Sequence, residues 1–350
     1  MTIDEHYIKR CISIAKNGLG EVSPNPMVGA VIVYENKIIG EGFHRKFGEA
    51  HAEVNAINSV QNKELLTKST LYVSLEPCSH FGKTPPCTDL IIEMKIPKVI
   101  IGNLDPFAKV AGNGIKKLQA ANIEVITNIL QKECEELNKR FITFHTKKRP
   151  YIILKWAESS DKFIDINRPQ NTEKPIFFTD EFGRSIVHKW RTEEDAILVG
   201  KNTVILDNPQ LTSRNYFGHN PKRIIIDKNN YLKNDFQIFN NQAETIIFNS
   251  KSEFKNNNLN FVKINFEKDV IEQILNYLYI TEIQSIIVEG GSFTLNKFIS
   301  KNLWDEARIF TSEIKLRNGV KSPDFNFIYK KNLKINNYQL KIYYNDKNNS

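Results

Sequence analysis

The chain has 350 residues, 41% of them hydrophobic, with four cysteines and a formal net charge of +8. That length predicts two domains with packed cores, and four cysteines in so long a chain exclude a disulfide framework. The first residues, "MTIDEHYIKR", carry no apolar run of a signal peptide, and no stretch approaches a membrane span, so a reduced, cytoplasmic protein with no membrane partner is expected.

Residues 1–148 alternate helix and strand in chain order. "DEHYIKRCISIAKNG" has apolar residues at helical spacing and stops at Gly18. "MVGAVIVY" and "KIIGEGF" read as strands joined at Glu35-Asn36. "HAEVNAINSV" is a helix, "TLYVSLE" a strand, and "TDLIIEMK" a helix with Thr88 as its N-cap. "KVIIGN", "GIKKLQAAN" and "IEVIT" continue the alternation, and one long charged helix, "LQKECEELNKRFITFHT", closes the series. "KKRP" then marks a boundary, and residues 149–350 begin a second α/β series. Its strands are "YIILKWA", "AILVG", "RIIID", "TIIFN", "IIVEGG" and "EARIFTSE". Its helices are "DEFGRSIVHKW", "DVIEQILNYL" and "SFTLNKFISKN".

The positive charge is scattered through loop-like segments such as "KNNYLKNDF" and "FKNNNLN" rather than gathered into a basic stripe with aromatics. No nucleic-acid partner is expected. A phosphorylated small substrate suits the same sign of charge.

Two cysteines nine positions apart, Cys78 and Cys87, each follow a proline. Zinc-finger ligand pairs are usually closer, so the spacing alone leaves open a structural clip, a redox pair or part of a catalytic metal site. "HAEV" supplies the missing piece. His51, Glu53 two residues on, Pro-Cys and a second Cys are the layout of a zinc deaminase. One imidazole and two thiolates give zinc three protein ligands and leave a position for water. Glu53 could serve as a fourth ligand, but a carboxylate that shuttles protons between that water and the leaving amine suits it better. A closed structural site would need one more ligand. Cys11 and Cys134 lie in helical patterns, where burial is the commoner outcome.

The insert "SHFGKTPP" between the cysteines departs from the usual Pro-Cys-x-x-Cys. Together with "SPNPMVGAVIV" and "GFHRKFGEAHAE", it closely resembles the deaminase half of the bifunctional riboflavin-biosynthesis family RibD, over roughly the first 145 residues. The resemblance implies a cytidine-deaminase-like three-layer domain with catalytic Glu53. It implies zinc on His51, Cys78 and Cys87, and a phosphoribosylaminopyrimidine substrate contacted by Asn25, His44, His80, Lys83 and Asp105.

The second half has no Gly-x-Gly-x-x-Gly fingerprint. Its quieter signal is "SIIVEGGSFTLNKF", a strand, two glycines and a helix, a junction that offers free N–H groups to an anion. "LKWAESSD", "GRSIVHKWRTEEDAILVGKNTVILDNPQLTSR" and "IIVEGG" resemble the reductase half of the same family. That resemblance implies a dihydrofolate-reductase-like domain that reduces the opened ribose with NADPH. The cofactor positions it implies are Glu158, Phe177, Thr203, Asp207, Gly291, Ser292, Phe293, Thr294, Leu295, Asn296 and Lys297. The substrate positions are Lys155, Arg191, Leu211, Arg214 and Glu289, and two arginines suit a phosphate.

This chain departs from the family pattern at three places. Ser159-Ser160-Asp161-Lys162 stands where Ser-Leu-Asp-Gly is common, Pro175 where serine is usual and Phe177 where tryptophan is usual. A positive φ at Lys162 and an altered reductase are therefore expected. A deaminase with a non-catalytic second domain, or an RNA-editing zinc deaminase, are the competing expectations. A homo-oligomer is expected, of an order the sequence does not set.

Overall fold

The computed structural model describes residues 1–81, 85–106, 112–168 and 175–345. The chain divides into two compact units, Met1–Lys148 and Arg149–Ser350.

The first unit opens with α1 (Ile3–Ala15), started by a capping box in which the Thr2 hydroxyl accepts from the Glu5 N–H and Glu5 reaches back to the Thr2 N–H. Strands β1 (Gly29–Tyr34) and β2 (Lys37–Phe43) form a hairpin. Its two turn residues, Glu35 and Asn36, both have positive φ, as a tight primed turn requires. Then follow α2 (Ala52–Ser59), β3 (Thr70–Leu75), α3 (Cys87–Glu93), β4 (Lys98–Asn103), α4 (Asn113–Ala120), β5 (Glu124–Ile126), α5 (Gln131–Leu137) and α6 (Lys139–Lys147). The sheet runs β2-β1-β3-β4-β5, antiparallel across β2, β1 and β3 and parallel across β3, β4 and β5.

Alternate residues of the central strands feed two cores. Ala30, Ile32, Leu71 and Val73 pack with Ala56, Ile57, Ile91 and Leu118 of α2, α3 and α4. Val31, Val33 and Tyr72 pack with Ile8, Cys11, Cys134 and Leu137 of α1 and α5. The result is a three-layer sandwich, and the C-terminal ends of β3 and β4 open beside the start of α2.

Two expectations are corrected here. The long charged helix is broken at Asn138, whose φ of −107° and ψ of 24° leave the helical region. Its carboxamide takes the Met27 N–H at 2.8 Å and donates to the Met27 carbonyl at 2.9 Å, a long-range contact that local periodicity does not report. Thr88 is not an N-cap. The helix starts two residues earlier, at Cys87 after the N-cap Pro86, and the buried Thr88 hydroxyl donates to the Cys78 carbonyl at 3.2 Å.

The second unit contains β6 (Tyr151–Glu158), β7 (Phe163–Asp165), α7 (Glu181–Glu193), β8 (Ala196–Gly200), α8 (Lys201–Asp207), β9 (Lys222–Ile226), β10 (Thr245–Asn249), β11 (Phe254–Lys255) and β12 (Leu259–Lys263). It continues with α9 (Val270–Ile280), β13 (Ser285–Val288), α10 (Ser292–Ser300), β14 (Glu306–Ser312), β15 (Val320–Lys321), β16 (Lys331–Ile335) and β17 (Tyr338–Tyr344). The large sheet runs β11-β12-β10-β9-β8-β13-β6-β14-β17-β16. Its centre, from β12 to β14, is parallel, and both flanks are antiparallel. The parallel strands are near-continuous apolar runs because helices cover both faces. Ile152, Leu154, Leu198 and Val288 meet α9 and α10 on one face, while Ile197, Val199 and Ile225 pack with Val204 and Leu211 on the other.

Candidate active sites

In open α/β sheets, ligand sites gather beyond the carboxyl ends of parallel strands, and each unit places its polar cluster there. In the first unit, His51 caps α2 with an extended backbone, Cys78 lies in the loop after β3, and Cys87 is the first residue of α3. Three separate elements therefore present one ligand atom each. His51 Nδ1 is 3.6 Å from Cys78 Sγ and 3.3 Å from Cys87 Sγ, and all three atoms lie within 4.8 Å of one another. The Cys87 N–H, unused by its own helix, donates to Cys78 Sγ at 3.3 Å. The Cys78 thiol is pulled down to about 4, mainly because the Cys87 thiol donates to it and His51 adds a second bond. A soft, readily ionised donor set of this spacing fits zinc with three protein ligands.

Glu53 is 3% exposed, and burial pushes its carboxyl up to about 7, against the pull of His51 and of a hydrogen bond from Cys87. A dication in the site opposes that rise. His44 is buried too, and burial lowers its proton affinity. Its Nδ1 faces the Ala50 carbonyl at 3.2 Å and its Nε2 the Asn25 carboxamide nitrogen at 3.1 Å. The neutral ring thus donates to Ala50 and accepts from Asn25. It also stands edge-on to His51, with centroids 5.3 Å apart. Asp105 is buried after β4, and His80 is half-buried in the loop between the cysteines. Lys83 lies outside the described residues. Cys11 and Cys134 are buried in the α1–α5 layer, in the core cluster that also holds Tyr72, and take no part in the ligand set.

The second unit gathers Lys155 from β6, Arg191 from α7 and Glu289 from the end of β13. Arg191 binds Glu289 at 2.8 Å and the Thr212 carbonyl at 3.0 Å, and Lys155 Nζ lies 3.8 Å from Glu289. Burial alone would raise the Glu289 carboxyl, but Arg191 and Lys155 overcome it and hold the group at about 2. Burial lowers the proton affinity of Lys155. Arg214 is exposed, and its proton affinity falls through partial desolvation and the charge of Arg191. Two guanidinium groups that raise each other's energy are a place for an anion. Leu211 is buried, with φ of 54°, in the segment that carries Arg214.

Around the Gly-Gly junction, Gly291 is the N-cap of α10 with no side-chain cap, and its N–H donates to the Thr203 hydroxyl at 3.1 Å. A Cβ at Gly290 would stand 2.9 Å from Thr294 Cβ, and one at Gly200 3.0 Å from Thr294 Oγ1. Two bare strand ends therefore let Thr294 sit against them, and α10 presents its first N–H groups beside them, as a pyrophosphate cradle requires. Ser292, Asn296 and Lys297 follow along the helix, with the Lys297 ammonium 5.4 Å from the exposed Phe293 ring. Leu295 is fully buried in the core, so its side chain does not reach this surface.

Asp207 ends α8 and is bound by the Arg168 guanidinium, which also grips Asp165 of β7. Glu158 is buried, accepting from Trp156 Nε1 at 3.0 Å, Thr311 Oγ1 at 3.2 Å and Lys162 Nζ at 2.5 Å. Lys162 has φ of +68°, as the family glycine implied. Phe177 is 61% exposed, with the Arg184 guanidinium 5.5 Å from its ring.

Sequence reasoning missed three residues of these clusters. His188, three positions before Arg191 and therefore on the same face of α7, is buried, and burial followed by the charges of Arg191 and Arg214 lowers its pKa to about 4. Its helical offset was the available signal. Arg168 meets Asp207 only in three dimensions, and Glu76 binds backbone groups, which leave no mark in a sequence.

Comparison with known proteins finds a family match in each half of the chain. Residues 1–103 match the cytidine and deoxycytidylate deaminase zinc-binding region, and residues 150–314 match the RibD C-terminal domain. Fold and sites together define a two-part zinc deaminase and reductase. The chain is 39% identical over 327 residues to the riboflavin biosynthesis protein RibD of Aquifex aeolicus, covering 92% of this chain and 90% of that one. It is 32% identical over 324 residues to RibD of Escherichia coli K12, covering 88% and 87%. The chain belongs to the RibD family of riboflavin biosynthesis proteins. A crystal structure from Thermotoga maritima, described as a diaminohydroxyphosphoribosylaminopyrimidine deaminase/5-amino-6-(5-phosphoribosylamino)uracil reductase, superimposes with TM-score 0.87 at 38% identity, covering 97% of this chain and 98% of that one. Acinetobacter baumannii RibD gives 0.85 at 27% identity, covering 98% of each.

Proposed function

We propose that the chain carries out two successive steps of riboflavin biosynthesis. Residues 1–148 hydrolyse the 2-amino group of 2,5-diamino-6-(5-phosphoribosylamino)pyrimidin-4(3H)-one, and residues 149–350 reduce the ribosyl group of the product to ribityl with NADPH. The observation that carries this reading is the convergence of His51, Cys78 and Cys87 beside the buried Glu53.

Zinc, when bound by these three residues, supplies a water of lowered pKa at its fourth position. Glu53 receives the proton of the attacking water and passes protons to the ring nitrogen and the departing amine, so that ammonia leaves and a carbonyl remains. His44 holds the Asn25 carboxamide and packs against His51, fixing the substrate wall. His80, Lys83 and Asp105 complete the substrate contacts.

In the reductase, NADPH supplies a hydride. Gly291, Ser292, Phe293, Thr294, Leu295, Asn296 and Lys297, with Thr203, cradle the cofactor at the start of α10, Leu295 through its place in that helix. Glu158, Phe177 and Asp207 line the remainder. Arg191 and Arg214 hold the substrate phosphate, and Leu211 shapes the loop that presents Arg214. Glu289 keeps Lys155 charged and in place, and the Lys155 ammonium is the proton donor this cluster offers to the reduced carbonyl oxygen.

The reading includes a cytoplasmic homo-oligomer with no nucleic-acid or membrane partner. All four cysteines are free, and among the described residues no helix is long and apolar enough to cross a membrane.

Metal analysis tests the carrying observation. One zinc is expected per wild-type chain, and Cys87→Ser, which replaces a soft thiolate with a poor ligand, is expected to purify without it. Full zinc occupancy in Cys87→Ser contradicts the assignment.

A further inference from the structure

Glu76 ends the run from β3 into the Pro77–Cys78 loop and is 4% exposed. Among the described residues, its carboxylate accepts from backbone N–H groups. Oε2 accepts from the Gly112 N–H at 3.0 Å and the Asp105 N–H at 3.4 Å. Oε1 accepts from Gly114 at 3.0 Å and Ile115 at 3.4 Å. A carboxylate has about four lone-pair positions, and these N–H groups fill them. The group is therefore engaged as an acceptor by main-chain donors.

The partners come from two segments of the chain. Asp105 follows β4, and Gly112 to Ile115 begin α4. Gly112 has φ of +79°, which turns its N–H inward. Gly114 packs so closely that a Cβ there would stand 2.3 Å from the Pro77 carbonyl oxygen and 3.1 Å from Glu76 Oε1. The peptide leading into Cys78 is thus clamped against α4 by the same carboxylate that holds the backbone of Asp105.

We infer that Glu76 is a positioning residue for the deamination: one buried carboxylate, saturated by backbone N–H groups, sets the loop of the ligand Cys78 and the substrate-facing Asp105 together. This rests on the reading of His51, Cys78 and Cys87 as zinc ligands. Glutamine keeps the size of the side chain but sets an NH2 against N–H donors, so two of them lose their acceptor.

The test uses zinc-loaded full-length chain, with zinc release to a chromogenic chelator, the kcat and KM of deamination, and thermal midpoint as readouts. Glu76→Gln is expected to release zinc at least about tenfold faster, the scale on which outer-shell partners act, and to raise KM severalfold. Gly114→Ala, which displaces Pro77 instead, is expected to give the same pair of changes and decides the matter if Glu76→Gln does not fold. Leu118→Ala opens a cavity on the buried side of the same helix and is expected to lower Tm while leaving zinc release and KM unchanged. A Glu76→Gln chain that loses only Tm, as Leu118→Ala does, overturns the inference. Zinc absent from the wild type would overturn the ligand reading itself, and is seen before any variant is compared.

Discussion

The two centres of this chain are built in opposite ways. In the deaminase, the reactive groups touch each other: imidazole and two sulfurs within 4.8 Å, with the carboxylate buried beside them. In the reductase, the charged groups are balanced in separate ion pairs, Lys155–Glu289–Arg191, Lys162–Glu158 and Asp165–Arg168–Asp207. The first is a compact donor set that three separate elements bring together. The second is an electrostatic frame in which each charge keeps the next in place. A metal-ligand set fails all at once when one member is removed, because three donors are the minimum it works with. A paired frame fails by degrees, according to how deeply the lost partner was buried.

The deaminase should show the largest effect. Glu53→Gln keeps volume and removes the proton carrier, so turnover is expected to fall about a hundredfold or more, with zinc still bound. Measurement of ammonia release alongside metal content separates this from loss of the site. Zinc lost together with activity would make Glu53 a ligand and remove the distinction between donor set and acid–base group.

Glu289 comes next, since both Lys155 and Arg191 converge on its carboxylate. Glu289→Gln leaves Lys155 and Arg191 facing each other without a counter-charge, and is expected to destabilise the second unit by about 3 kcal/mol and to abolish NADPH oxidation. The pH dependence follows from its carboxyl, which sits at about 2 against an ordinary 4.5. A depressed acid contributes stability that is complete above its unfolded value and is lost as pH falls from about 4.5 toward about 2. Calorimetric acid titration is expected to show that loss in the wild type and a flatter profile in Glu289→Gln. Identical profiles would mean that the pair is not the hub.

Arg191→Lys and Arg214→Ala should be milder. Both groups read as ground-state phosphate holders, so KM is expected to rise more than kcat falls, with Arg191 the larger because it also grips Glu289 and Thr212. Steady-state NADPH kinetics would show the reverse split if these arginines acted only in the transition state.

The smallest effect is expected at Lys162→Gly. The left-handed φ at this residue strains any side chain by about 1 kcal/mol, while its exposed ammonium returns at most about 1 kcal/mol through Glu158. Stability and reductase rate are expected to change little. A large loss of reductase rate would mean that this departure from the family glycine has become part of the cofactor site.

The same contrast explains what could be read from the sequence. His51, Glu53, Cys78 and Cys87 were legible because metal chemistry restricts residue type and the motif falls within 37 positions. The Gly-Gly junction was legible as a strand–helix turn, since only bare backbone fits against Thr294. The break at Asn138 was hidden because its cause is Met27, more than a hundred residues away. Arg168 was hidden because its partners Asp165 and Asp207 come together only when β7 and α8 are packed. Glu76 was hidden because a carboxylate that binds main-chain N–H groups has no partner residue type to search for. Positive φ at Lys162 was legible only through the family resemblance; a lysine on its own predicts the opposite.

The most direct test of the account is one assay on the purified full-length chain that follows ammonia release and NADPH oxidation together. With the diaminopyrimidine substrate, the wild type is expected to release ammonia and then oxidise one NADPH per ammonia, while Glu53→Gln does neither. Supplied with the already deaminated compound, both proteins are expected to oxidise NADPH at the same rate. Ammonia release without any NADPH oxidation, even with the deaminated compound supplied, would contradict the two-activity account and leave a deaminase with a non-catalytic second unit.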